Sequence, residues 1–323
     1  MKLLSRIALA LSATCLSFAA AAQAFPNQPL RWVVPYPAGG GTDVAARTIA
    51  NEMQQTVGQP IPIDNRPGAN TIVGADFIAK ARADGYTIGS ADNATLALNQ
   101  GLYAKLPYNP ASDFSIVGGI ARFPYVLVVG PKSSAKTLEE FLAAARKAPG
   151  TITYGSPGLG GPNHVAMELL QQRTSLKFNH VPYRGAAPGI QDLLAGTIDC
   201  MLVDTGSSMP HIKSGKLRAL AVAYDNRLAP LPDVPTFAEA GVKDFSAFSW
   251  QFLVAPAGTP RAAMDKLGDA LAKALARDDV RKRLGDLGIE PSPMPAAEAT
   301  RFVAAEAERW GSVIRTANIK LEN

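Results

Sequence analysis

The residues of this chain that could do chemistry gather in two glycine-rich stretches, VVPYPAGGGTD at 33–43 and ITYGSPGLGGPNH at 152–164. Each reads as an apolar run, a glycine-rich turn and the start of a helix. Such a turn presents free helix N-terminal amides, and with them partial positive charge, at the carboxyl edge of a sheet, where ligands of open α/β sheets bind. The two stretches lie about 120 residues apart. Facing each other, they would form a cleft able to grip a dianion at both ends. A single turn of this kind is better explained by tight packing of strand on helix, so it is the pair that points to a ligand.

Catalytic patterns do not hold up. A nucleophile elbow around Ser156 needs glycine two residues earlier, and Tyr154 stands there. Gly41-Thr42 lacks the lysine of a phosphate-binding loop, and Asn163 occupies the third-glycine position of a dinucleotide fingerprint begun at Gly158-Leu159-Gly160. The histidines, His164, His180 and His211, are not within helical reach of one another or of Cys200, which argues against zinc. Ser156 and His164 could serve as nucleophile and base, but nothing in their spacing brings them together. We therefore expect no catalytic residue, no metal site and no cofactor.

Positioning the two turns falls to alternating strands and helices, which argues an α/β fold with largely parallel sheets. The apolar run 30–35 closes ahead of Gly39-Gly40-Gly41, and a helix from Thr42 carries Ala45, Ile49, Met53 and Val57 at spacing four before stopping at Gly58. Strands over 61–65 and 86–90 flank a helix over 72–82. A second unit opens with a buried strand over 125–129 and a helix over 138–147, where Thr137 and Glu140 form a capping box. Strands over 151–155, 178–182, 198–203 and 217–224 follow, with helices near 163–173 and 187–195. A strand over 252–255, a helix from Pro260 to about Ala276 and an amphipathic helix over 296–317 complete the chain.

The 323 residues suffice for one large or two ordinary domains, and 47% hydrophobic against 18% charged residues excludes a disordered chain. The net charge of +5 raises the question of nucleic acid, but the basic residues are scattered and no nucleic-acid signature is present. Lys2 and Arg6 precede an apolar stretch over 7–22, and Ala22-Gln23-Ala24 is a small-residue cleavage site. Residues 1–24 therefore read as a secretory signal peptide cleaved after Ala24, too short to span a bilayer as an anchor. Ser12-Ala13-Thr14 ahead of Cys15 does not make a lipoprotein motif. The mature chain keeps Cys200 alone, which suits an oxidising compartment and reads as a small buried hydrophobe.

Further blocks settle a resemblance: VPYPAGGGTDVAAR (34–47), DNRPGAN (64–70), ADGYTI (83–88), LYAKLPYNPASDF (102–114), HVPYRGAAPGIQDLLAGTID (180–199), PHIKSGKLRALAV (210–222), LPDVPTFAEAG (231–241) and LVAPAGTP (253–260). From about residue 27 to 317 the chain is similar to the substrate-binding proteins of the tripartite tricarboxylate transporter family, the Bug-type periplasmic receptors. The resemblance implies a two-lobed periplasmic-binding-protein ("Venus flytrap") fold of class α/β, each lobe a mostly parallel sheet flanked by helices. It implies a monomeric, non-catalytic receptor in the periplasm. Such a receptor captures a small organic acid, here expected to be a mono- or dicarboxylate, and hands it to inner-membrane transporter subunits. A receptor feeding a two-component signalling system is the alternative. With chain crossings near 122–125 and 248–250, lobe one comprises 26–123 and 249–323, and lobe two comprises 124–248.

By position, the resemblance assigns ligand contacts in lobe one to Tyr36, Ala38, Gly39, Gly40, Thr42, Asp43, Asn93 and Thr95. In lobe two it assigns them to Ser156, Gly160, Asn163, His164, Tyr183, Arg184, Gly185, Ala186 and Asp204. Backbone amides and hydroxyls would bind a carboxylate there without burying a second charge. The chain departs from the family at three places. Gly161-Pro162-Asn163 stands where hydroxyl residues are usual, Val203-Asp204 where Asp-Asn is common, and Asp92 adds an acid beside the lobe-one contacts. If both aspartates approach the cleft, citrate should bind poorly and a smaller acid with a polar or cationic group should bind well. If they face solvent or cap helices, that expectation lapses.

Overall fold

The computed structural model describes residues 25–321; the expected signal peptide lies outside the described residues. Ten strands form one continuous mixed sheet, with helices on both faces. In its first half β1 (Arg31–Val34) lies between β2 (Ile63–Asn65) and β3 (Thr87–Asp92), all parallel. In its second half β5 (Thr153–Ser156) lies between β6 (Asn179–Pro182) and β7 (Cys200–Asp204), again parallel. The strands between these blocks are antiparallel. β4 (Phe114–Val129) pairs through Pro124 with β9 (Phe248–Pro256), then from Tyr125 with β7 and, from Val126, with β8 (Arg218–Val222). Parallel pairing thus holds at the outer strands of each half, as the alternating pattern predicts. The centre departs from it because β4 and β9 pass between the halves instead of returning through a crossover helix.

β4 is buried on both faces. Tyr125, Leu127 and Val129 enter one core and Val126 and Val128 the other, the period of two of a covered strand. β1 does the same, with Trp32 and Val34 on one side and Val33 on the other. Burying such side chains fully is worth roughly 1.5–3 kcal/mol each.

The helices follow the strands. α1 (Gly41–Val57) ends at left-handed Gly58, α2 spans Ile72–Ala79 and α3 Asn99–Leu102, and α4 (Leu138–Lys147) is capped by Thr137, whose hydroxyl accepts from the Glu140 amide. The reciprocal bond of that capping box comes from the Lys136 amide to Glu140 at 2.6 Å, one residue earlier than expected. α5 (Pro162–Thr174), α6 (Ala186–Ala195) and α7 (Thr205–Lys213) start directly after β5, β6 and β7 or one short turn later. α8 (Arg261–Ala276), α9 (Asp278–Gly285), the short β10 (Glu290–Pro291) and α10 (Ala296–Ala317) close the chain.

α10 serves both halves of the sheet. Ala299 and Phe302 pack with the first-half residues Trp250 and Phe252, while Trp310, Val313 and Ile314 join the second-half core. Glu306 anchors the middle, its Oε2 accepting from the Trp250 and Trp310 indoles at 2.9 Å each.

Candidate functional site

Between the two halves lies a cavity of about 520 Å³, lined by the turn before α1, by Phe123, Tyr125 and Ser249 where β4 and β9 cross, and by the starts of α5, α6 and α7. A second cavity of about 520 Å³ adjoins it across Tyr36, Asn163 and Arg184, and reaches Asn70 and Tyr183. The sequence pointed to two helix N-termini; the structure aims four at the first cavity. Three of them, at Gly40, Gly161 and Gly185, carry no side-chain cap, so their orphan amides remain for a ligand. The fourth, α7, is capped by Asp204, whose Oδ1 accepts from the Ser207 amide at 2.8 Å.

The first turn is held from behind. Asp43 Oδ2 accepts from the Gly39 amide and from Arg47 Nε, both at 2.9 Å, and its Oδ1 accepts from Asn65 at 2.9 Å. Burial opposes its charge, but the hydrogen bonds from Arg47, Gly39 and Asn65 hold its carboxyl below the usual range. Asp43 thus shapes the turn and lines neither cavity. Gly39, at φ +85°, supplies the left-handed residue the turn needs. Thr42 Oγ1 accepts from Gln251 Nε2 at 2.5 Å, which leaves its own proton for the cavity that Thr42 lines. The Tyr36 hydroxyl donates to Asp92 at 2.5 Å, so towards the cavity it offers lone pairs. Burial and then the Asp92 charge raise the Tyr36 phenol well above its ordinary value, and burial raises the Asp92 carboxyl too.

Ten of the expected residues line the first cavity: Tyr36, Ala38, Gly39, Gly40, Thr42, Asn163, Arg184, Gly185, Ala186 and Asp204. Tyr183 lines the second and donates to Asp192 at 2.7 Å. Asp43, Asn93, Thr95, Ser156, Gly160 and His164 line neither. Asn93 ties β3 to β9, accepting from the Ser249 hydroxyl and the Trp250 amide. Thr95 donates to Thr71, and its amide donates to Asp92. Ser156 is fully buried, donating to the Gly158 carbonyl at 3.0 Å and bonded to His180 Nε2 at 2.7 Å. Gly160 donates to His164 Nδ1, and its carbonyl accepts from Asn70 across the halves at 3.1 Å. The two histidines that sequence spacing kept apart are stacked, with ring centroids 4.0 Å apart. The partner of Ser156 is therefore His180 and not His164, and neither residue of the pair lines a cavity.

Of the two aspartates in question, Asp92 is buried beneath Tyr36, whereas Asp204 both caps α7 and lines the first cavity. Burial raises the Asp204 carboxyl, partly offset by the bonds from Ser207. Sequence reasoning missed Tyr125, Ser207 and Ser249. Tyr125 is 1% exposed, and its hydroxyl has no hydrogen-bond partner although it lines the cavity. A polar atom inside an otherwise apolar strand next to a chain crossing was the available signal. Ser207 could have been found from Asp204 as an N-cap three residues earlier.

Residues 45–319 match a family model described as the tripartite tricarboxylate transporter family receptor. The chain belongs to that family. The receptor is 34% identical to Protein BugT of Bordetella pertussis over 99% of both chains. Among solved structures it is similar to R. palustris Rpa4515 with adipate, at TM-score 0.88 and 35% identity, covering 92% of this chain and 100% of that one. It is also similar to MatC (Rpa3494) from Rhodopseudomonas palustris with bound malate, at TM-score 0.84 and 33% identity, covering 90% and 100%. Like its family, the receptor is a periplasmic solute-binding protein of a tripartite transport system and not an enzyme. No helix among the described residues is long and apolar enough to cross a membrane.

Proposed function

We propose that the receptor binds a small mono- or dicarboxylate in the first cavity, as a monomer, and delivers it to inner-membrane transporter subunits after cleavage of its signal peptide at Ala24. The observation that carries this is the set of three uncapped helix N-termini facing one cavity. Their partial charges favour an anion without a lysine, and Arg184 at the rim is exposed. Thr42 and Tyr125 add hydroxyl donors, and about 520 Å³ suits a small-molecule site. Residues 26–123 with 249–323 form one lobe and 124–248 the other, the switch of β4 from β9 to β7 after Pro124 being the hinge. The adipate and malate held by similar proteins support an acid of four to six carbons.

A thermal-shift screen of the mature chain against mono-, di- and tricarboxylates tests this. A bound acid should raise the unfolding midpoint, because it binds only the folded state. Calorimetry should then give one site per chain. A chain whose midpoint no carboxylate moves would defeat the reading.

A further inference from the structure

We propose that Asp204 sets the specificity of this receptor by accepting a hydrogen bond from a protonated amino group, so that the preferred ligand is a carboxylic acid carrying an ammonium nitrogen close to its bound carboxylate. The proposal rests on the first cavity being the carboxylate site.

Asp204 lines that cavity, yet no ion pair reaches it among the described residues. Its Oδ1 accepts from a backbone amide of its own helix. The groups facing it across the cavity do not neutralise it. Tyr36 has spent its proton on Asp92, Arg184 is exposed, and His211 lies two turns further along α7. A half-buried carboxylate left in this state costs free energy that a ligand cation would recover.

Its position makes the recovery specific. A Cβ placed on Gly41 would stand 2.9 Å from Asp204 Oδ1, so the carboxylate lies against the first turn of α1. Carboxylate donors and an unpaired acid therefore sit side by side: the amides at Gly40 and beyond, the free proton of Thr42 and the unpartnered hydroxyl of Tyr125 on one hand, and Asp204 on the other. That spacing is what a carboxylate and a neighbouring ammonium on one small molecule require. A plain dicarboxylate satisfies the donors but brings no partner for Asp204. Tyr36, which presents lone pairs, adds a second acceptor for the same nitrogen.

The test is calorimetry at neutral pH on the mature chain with matched acids: aspartate, malate and succinate, then glutamate and glutarate, then 2-aminoadipate and adipate. In whichever size fits, the amino acid should bind at least about ten-fold more tightly than its des-amino counterpart. Malate, which donates without charge, should fall well below aspartate. In Asp204→Asn the amino preference should shrink to about three-fold or less. Asparagine can still cap α7, and should that variant fail to fold, the wild-type ratios alone decide. An amino preference below about ten-fold, malate binding as tightly as aspartate, or an Asp204→Asn protein that keeps the wild-type preference overturns the proposal and leaves the carboxylate reading intact. Binding of none of these acids, nor of any other carboxylate screened, overturns both.

Discussion

A buried hydroxyl without a partner gains by acquiring one, whereas a buried hydroxyl already bonded loses by being removed. Tyr125 and Ser156 stand on opposite sides of that distinction. Tyr125→Phe should leave the stability of the unliganded receptor within about 0.5 kcal/mol of wild type, since no internal bond is lost. It should weaken carboxylate binding by roughly 1.5–3 kcal/mol, the usual worth of a hydrogen bond to a charged group. Ser156→Ala should do the reverse, lowering stability by roughly 1–3 kcal/mol through the unpaired His180 nitrogen while keeping affinity. Thermal unfolding of both free proteins, followed by calorimetry, separates the two roles. A Ser156→Ala protein of native stability and lost affinity would move the ligand to Ser156.

The elements around β5 carry a pH response. β5, α5 and β6 bring Tyr154, His180 and His164 into a stack, with centroids 4.7 Å apart for Tyr154–His180 and 4.0 Å for the two histidines. Burial, and then the neighbouring His180, push His164 down to about 3; burial pushes His180 down to about 4. Both values lie below the ~6.5 of an unfolded chain, so unfolding takes up protons as the pH falls. The stability these neutral rings represent is therefore complete above ~6.5 and lost progressively below it, by roughly 1.4 kcal/mol per pH unit for His164. Asp92, Asp204 and Glu168, all raised by burial, work in the opposite sense, since the folded state holds their protons longer. A difference between variants isolates the histidine. Denaturant unfolding at about pH 7.5 and about pH 5 should show wild type losing roughly 2 kcal/mol more than His164→Asn. Equal losses would mean that His164 titrates as a solvated ring.

For the whole molecule the decisive contact is between the starts of α1 and α7. A Cβ on Gly41 would meet Gly206 Cα at 3.3 Å as well as Asp204 Oδ1, and a Cβ on Gly206 would come 2.9 Å from Gly41 Cα. Together with the bond from Asn70 to the Gly160 carbonyl, this brings the two halves into direct contact over the cavity. Alanine at the first turn of a helix is otherwise favourable, so Gly41→Ala should spare the fold and hinder closure. Small-angle scattering of wild type should show a smaller radius of gyration with saturating ligand, as expected of lobes that hinge about two strands. Gly41→Ala should remain closer to the unliganded value and bind more weakly. A variant that contracts as wild type does would show that the halves close without this contact.

Local signals set what could be read without coordinates. The helices over 138–147 and 296–317 and the stop of α1 at Gly58 follow from caps, apolar spacing and a left-handed glycine, which neighbouring residues decide among themselves. The turn before α1 was legible for the same reason. Non-local pairing was not. The first eleven residues of β4 include Gly118, Gly119 and Arg122 and show no strand alternation; they are extended because β9 and β10 supply their hydrogen bonds. α7 forms through Gly206, Ser207, Ser208 and Pro210, poor helix formers, because β7 delivers Asp204 as its cap and its buried positions pack on the second half of the sheet. The same tertiary step made a site of scattered residues. It took Ser156 and His164 out of the cavity lining, left the Tyr125 hydroxyl buried without a partner on a residue of that lining, and brought Asp204 to it. Residue type and spacing alone pointed to an anion held at helix ends. Which polar atoms remain unpaired there depends on contacts between segments far apart in the chain, and only the packed structure decides it.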